Sequence, residues 1–318
     1  MKSIKLLLII VGLIVILQSC KTTNSYHSNN SYLNQKLPDV TPSLFAPSIV
    51  NTDSIEINTV FNFSFTELFF TRIIDESFVI HHSELIDGNW TEPQPIQMFI
   101  DQDAKSVAID PSITQDGKTL YFLGISPEEQ ANKSKPNIYK SHKIEGQWQL
   151  ATKVGYPIST DEYAESYPVV VADGSLYFTS DRPDSLGKRD IYRAQYLADG
   201  KFEKPVNIGS EVNSEKNERS TYVSPDESYL ITANTYTDEK GFAVSFKKNN
   251  KWQTPIYFDL GEPIAKDWIY FCPYMSSDGK YFFFSKRLSN PSDSGWKGVT
   301  KGEVYWVNAD MIFNLKRK

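Results

Sequence analysis

Carboxylates are the side chains whose placement could do chemistry. Asp110, Glu165, Glu218 and Asp267 recur at intervals of roughly fifty residues, the period of a chain built from repeats. Two carboxyls facing one channel are what glycoside hydrolysis requires, one as the acid and one as the base or nucleophile. Comparable places are filled in several repeats, which fits a structural role better than a division of labour. The four histidines offer less: His27 precedes the repeats, while His81, His82 and His142 fall on third strands, away from a channel. There is no His-x-x-x-His pair, no Gly-x-Ser-x-Gly elbow and no nucleophile–base pair. Asp101-Gln-Asp103 lacks the loop spacing of a calcium site. Neither a metal nor a cofactor is expected, and the expectation is a protein without enzymatic activity.

The elements that must hold these residues are read from residues 167–223. Four alternating segments, 168–171, 176–180, 191–195 and 202–208, are rich in Val, Ile, Tyr and Phe, which suit a pleated, half-buried surface. Asp173-Gly174 and Asp199-Gly200 separate them in pairs, a hairpin signal. The unit is therefore a four-stranded antiparallel meander, and it recurs. Thr59, Pro111, Pro168, Thr221 and Pro273 stand at equivalent places, 52, 57, 53 and 52 residues apart. The second hairpin repeats as Asp87-Gly88-Asn89-Trp90, Glu145-Gly146-Gln147-Trp148, Asp199-Gly200-Lys201-Phe202 and Asn249-Asn250-Lys251-Trp252. Such a period with four strands per unit predicts an all-β, five-bladed β-propeller.

The last copy stops after its third strand, 303–307. The missing piece is at the other end of the chain, where Pro42 to Glu56 matches Pro205 to Glu218 in its Pro, its apolar beats and its Asn-x4-Glu. The N-terminal segment is expected to supply the outer strand of the last blade, which removes an open sheet edge and favours five blades over six. The competing assignment gives that strand to residues 311–315.

With these residues in place a resemblance can be named. Ser180-Asp181-Arg182, Asp190-Ile191-Tyr192, Asp199-Gly200, Pro205-Val206-Asn207-Ile208-Gly209, Val212-Asn213 and Glu218 resemble the Pro-Asp repeat of TolB-like propellers, in the version common in envelope proteins of the Bacteroidota. The likeness is good over 108–235 and visible at 272–307. In the first blade Ser64-Phe65 replaces Asp-Gly, and in the fourth Glu227 replaces Gly. The resemblance implies a role in assembling envelope, transport or secretion complexes.

Propeller geometry brings the loops before each inner strand, and those joining second to third strands, to one face. Arg72, Asp181, Arg182, Asp267, Trp268, Arg287 and Trp296 are the candidate binding face, Trp296 being an exposed-looking aromatic on the long 288–301 loop. Glu56, Glu165 and Glu218 each precede an inner-strand start by three residues, and Arg72, Arg182 and Arg287 each follow a second strand. A group needed in blade after blade is expected to join blades, here as Glu–Arg pairs between neighbours.

Residues 1–19 carry Lys2 and Lys5 and then an apolar run, which reads as a secretory signal, the alternative being a spanning N-terminal anchor. It ends Leu17-Gln18-Ser19-Cys20, which looks like a bacterial lipobox, with Cys20 the lipidated residue. Residues 20–40, rich in Asn, Ser, Thr and Lys, read as a flexible tether, and 41–318 as the propeller. Lys21 after Cys20, with no acidic run following, favours an outer-membrane lipoprotein facing the periplasm, the cell surface being the alternative. Without residues 1–19 the chain has 31 basic and 39 acidic residues, a net charge of −8, and no basic stripe for nucleic acid. The expected function is a membrane-tethered, non-catalytic propeller that binds an envelope protein partner or a glycan. The alternative is a carbohydrate-active enzyme using carboxylates at the channel mouth.

Overall fold

The hairpin turns close as their residue types require. Gly117, Gly174 and Gly279 take φ of +70°, +85° and +70°, a region glycine enters without steric cost. Glu227 and Phe65, where the repeat departs from Asp-Gly, still turn left-handed at +54° and +56°, at a cost of about 1–2 kcal/mol each. A side-chain oxygen supports each turn. Asp116, Asp173, Asp226 and Asp278 accept from the backbone N–H two residues on at 3.0, 2.8, 3.0 and 3.1 Å. In the first unit Asn62 does this work, accepting from Thr66 N–H at 2.8 Å.

The computed structural model describes residues 29–100, 106–233, 241–261, 267–289, 296 and 298–317. The inner strands are Ile55–Phe61, Val107–Ile113, Glu165–Val170, Thr221–Val223 and Trp268–Met275. Each pairs antiparallel with a second strand, and that with a third, giving the expected meanders. Each inner strand lies beside the next, and the first lies beside the last. This cyclic order of meanders defines a β-propeller. The first two units also share one parallel bridge, Phe78 to Val107.

The N-terminal segment closes the last unit. Ser43–Leu44 pairs antiparallel with Val299–Asn308, Ser43 opposite Trp306 and Leu44 opposite Tyr305. Residues 311–315 do not form a strand; Asp310–Phe313 is a helical turn and Asn314–Arg317 a 3-10 turn. Part of the 20–40 stretch expected to be a flexible tether is folded. From Asn29 the chain is folded, with Tyr32 and Leu33 buried among Phe61, Phe65, Tyr281 and Trp306. The Tyr32 hydroxyl donates to Asp278 at 2.9 Å. An aromatic ring and a leucine side chain are worth more in the core than in water, so the segment docks. Residues 20–28, including Cys20, lie outside the described residues, as does the signal expected over 1–19.

The aromatics of three of the second hairpins pack on the preceding unit, and that of the first packs on its own inner strand. Trp148 meets Phe69 edge-on at 5.6 Å, Trp252 meets Tyr177 at 6.4 Å, and Phe202 shares a cluster with Tyr121. Trp90 meets Phe61 at 6.0 Å, beside the rings of the last unit. These residues seal the seams between units. No helix among the described residues is long and apolar enough to cross a membrane.

Candidate functional site: a polar ring in the axial cavity

Four of the inner strands break register, between Ile57 and Val60, Ile109 and Ser112, Ser166 and Val169, and Phe271 and Tyr274. A bulge of this kind re-aims a side chain. Asn58, Asp110, Tyr167 and Cys272 sit at these breaks with φ of +58°, +61°, +52° and +51°. Ser220 holds the corresponding place in the fourth unit. All five line a cavity of about 120 Å³ that runs from the ring towards the Asp-Gly turns.

The ring is hydrogen-bonded across units. The Asn58 side-chain N–H donates to Asp110 Oδ1, and the Cys272 N–H donates to Ser220 Oγ at 2.6 Å. The Cys272 Sγ lies 4.0 Å from Asp110 Oδ1. Asp110 is buried, and among the described residues no Lys, Arg or His forms an ion pair with it. Burial pushes its carboxyl up to about 7 against the opposing Asn58 hydrogen bond. Burial, and then the nearby Asp110 charge, raise the Cys272 thiol well above its ordinary value, which leaves it a poor nucleophile. Asn58 Oδ1 and Thr59 Oγ1 are buried without a hydrogen-bond partner among the described residues. Sequence reading passed over the ring as a unit. Its signal was a column of unlike residues, Asn, Asp, Tyr, Ser and Cys, directly before the repeating Thr or Pro.

The expected Glu–Arg pairs are formed differently. Glu56 is fully buried and bonded to Arg72 Nε at 2.8 Å, and Glu165, also fully buried, to Arg182 Nη2 at 3.2 Å. Both pairs lie within one unit rather than between neighbours, because the register places Glu56 opposite Arg72 and Glu165 opposite Ser180, two residues before Arg182. The link to the adjoining segment is made by the guanidinium instead. Arg72 donates to Ile49 O at 3.3 Å, and Arg182 donates to Pro157 O at 3.0 Å and to Ile158 O. Burial raises the Glu165 carboxyl to about 7, outweighing Arg182 and the Thr160 hydrogen bonds. Among the described residues Glu218 has no such clamp: it accepts from Ser214 Oγ at 2.5 Å, and its Oε2 is buried without a hydrogen-bond partner.

The remaining face residues are spread among different tasks. Asp181 accepts from Ala164 N–H at 2.7 Å and lies 3.5 Å from Lys135 Nζ. Asp267 is exposed and Trp268 half-buried, with Lys286 and Lys301 each 5.8 Å from the Trp268 ring. Trp296 is not the free aromatic expected. Its ring packs edge-on against Phe78 at 5.3 Å and Phe271 at 6.0 Å, with the buried Arg287 guanidinium 4.5 Å over it. Half of the 288–301 loop, residues 290–295 and 297, lies outside the described residues. Elsewhere Glu67, His82 and Glu84 converge, but Lys143 Nζ stands 2.8 and 2.7 Å from the two carboxylates. The ammonium supplies the positive charge there.

No protein-family model matches the chain. No curated protein matches it in sequence. Among solved structures it is similar to the catalytic domain of the Coprinopsis cinerea GH62 α-L-arabinofuranosidase, with a TM-score of 0.51 at 9% identity over 85% of this chain and 98% of that one. TolB from Acinetobacter baumannii aligns with a TM-score of 0.46 at 13% identity, over 82% of this chain and 59% of that one. The chain thus spans about three-fifths of that TolB structure. The α-L-arabinofuranosidase PaAbf62A from Podospora anserina, solved with cellotriose, gives 0.49 at 15% identity, over 85% of this chain and 94% of that one. Identities this low concern the fold alone.

Proposed function

We propose that this protein is a five-bladed, lipid-anchored propeller of the cell envelope that binds a protein partner or an envelope glycan without catalysing a reaction. The observation carrying the non-catalytic reading is the fate of the inner-strand acids. Glu56 and Glu165 are consumed by Arg72 and Arg182, and among the described residues Asp110 is the one carboxyl that lines the axial cavity. Acid–base cleavage of a glycoside calls for two. The anchor is Cys20 after removal of residues 1–19, with the propeller held at the periplasmic leaflet of the outer membrane. Docking of Tyr32 keeps the tether to the stretch before Asn29. The binding face is the one carrying Asp181, Asp267 and Trp268, since Arg72 and Arg182 serve the fold and Trp296 is packed under Arg287.

Crosslinking of the full chain in its own cells, with purification and mass spectrometry, tests this reading against an Asp267→Ala/Trp268→Ala variant. Partners recovered with the wild type and lost with the variant would support it. Equal recovery, or none, would sink the face assignment. A second reading, a carbohydrate-active enzyme, is favoured by one feature: Asp110 is a buried carboxyl held near 7, suited to proton transfer. Hydrolysis of an arabinoside or other glycoside that disappears in Asp110→Asn would establish that reading in place of the first.

A further inference from the structure

We propose that the axial cavity binds a small organic molecule carrying a protonated amine, with the ammonium against Asp110 and its carbon frame against the aromatic walls. This site is separate from the partner face and does not depend on it. A buried carboxylate is costly unless a positive charge or several donors meet it. Asp110 has the Asn58 amide and the weak Cys272 thiol, and among the described residues no cation. The Asn58 amide is oriented by that bond, so its oxygen is left as a second acceptor, buried and without a partner. Two neighbouring acceptors, one able to carry charge, call for a ligand that donates more than one hydrogen bond and brings a positive charge. An ammonium does both.

The walls agree with this chemistry. Tyr167, Tyr222 and Tyr274 line the cavity, Tyr222 and Tyr274 meeting edge-on at 6.0 Å. The Tyr274 hydroxyl is tied to Phe61 O at 3.2 Å, which fixes the ring in place. Aromatic faces attract cations and also accept an apolar ring. At about 120 Å³ the cavity has room for more than one water. Phe63, 53% exposed, stands at its rim. A metal fits less well: one carboxylate, one amide oxygen and a protonated thiol fall short of an ordinary transition-metal set.

The test is calorimetric titration of the full chain, in a non-ionic detergent, with benzylamine and with its neutral isostere benzyl alcohol. The expected result is saturable binding of benzylamine at one site, about ten-fold or more tighter than the alcohol, as a charge-assisted hydrogen bond would give. Asp110→Asn, checked for folding by its thermal transition, should lose that preference. Asn58→Leu should weaken the amine more than the alcohol. Absence of saturable benzylamine binding by the wild type, equal binding of amine and alcohol, or an unchanged preference in Asp110→Asn would each overturn the proposal. Should neither variant fold, the wild-type comparison of amine with alcohol decides it. Saturable binding of N-acetylglucosamine without amine binding would also overturn it.

Discussion

The side chain of Asn51 holds both backbone groups of Val304, 253 residues away: its Oδ1 accepts from the Val304 N–H at 2.8 Å and its Nδ2 donates to the Val304 carbonyl at 3.0 Å. Asn213 makes the same pair of bonds to Ile191 inside the third unit, at 2.8 and 3.0 Å, and the Ser159 hydroxyl does so to Ile138 at 3.1 Å in each direction. One device therefore serves two purposes. Within a unit it pins an outer segment to a third strand; at Asn51 it joins the beginning of the fold to its end.

Asn51→Ala should lower the unfolding free energy by about 2 kcal/mol or more, since it strips partners from buried backbone groups. Asn213→Ala should cost about as much. Denaturant unfolding of the full chain measures both. A loss below ~0.5 kcal/mol for Asn51→Ala would mean that the closing strand is held by packing alone.

The Arg182 clamp predicts a non-additive pair. Arg182→Met leaves Glu165 buried without its cation and the Pro157 and Ile158 carbonyls without a donor, a loss of about 3–5 kcal/mol. Arg182→Met with Glu165→Leu should recover part of it, because the stranded charge is gone. A double-mutant cycle read by chemical denaturation checks this. Additive losses would contradict the clamp.

Asp110 should make the protein less stable as pH rises. Its folded value, raised to about 7, lies above an unfolded value of about 3.9, so the native state holds a proton that the unfolded chain has released. Between about pH 4 and about pH 7 stability falls as pH rises, and above that window the loss is complete. In buffer without amines, Asp110→Asn should match the wild type near pH 4 and exceed it above pH 7 by on the order of 2–4 kcal/mol. Glu165, also raised to about 7, adds a slope of the same sign that persists in the variant. Parallel curves of thermal midpoint against pH would remove Asp110 from this account.

Gly302 is the tight point of the last seam. A Cβ there would lie 2.5 Å from Ile55 Cγ2 and 3.4 Å from Glu56 O. Gly302→Ala should therefore cost about 1–3 kcal/mol through overpacking, and the same change should cost less in an Ile55→Ala background, which removes the Cγ2 methyl it meets. The thermal midpoints of the single and double variants test this. A Gly302→Ala protein as stable as the wild type would show that Ile55 moves aside freely.

The repeat, the four-strand unit and the N-terminal closure were legible in the chain alone. These rest on local chemistry that neighbouring residues carry with them: Asp-Gly turns, alternation of apolar side chains and the Asn-x4-Glu pattern shared by Asn51 and Asn213. The sequence also picked out Glu56 and Glu165 as fold-keeping residues but set Arg72 and Arg182 on the candidate binding face as well as in Glu–Arg pairs; register decided that each pair closes within a unit and that the guanidinium makes the outward link. Only the tertiary structure brought Asn58, Asp110, Tyr167, Ser220 and Cys272 together. They stand dozens of residues apart, and no local pattern announces the bulges that turn them to the axis. Tyr32 and Trp296 were also settled in three dimensions. A polar stretch and a loop tip read as exposed until the apolar surface that receives their rings, assembled from distant strands, is in place.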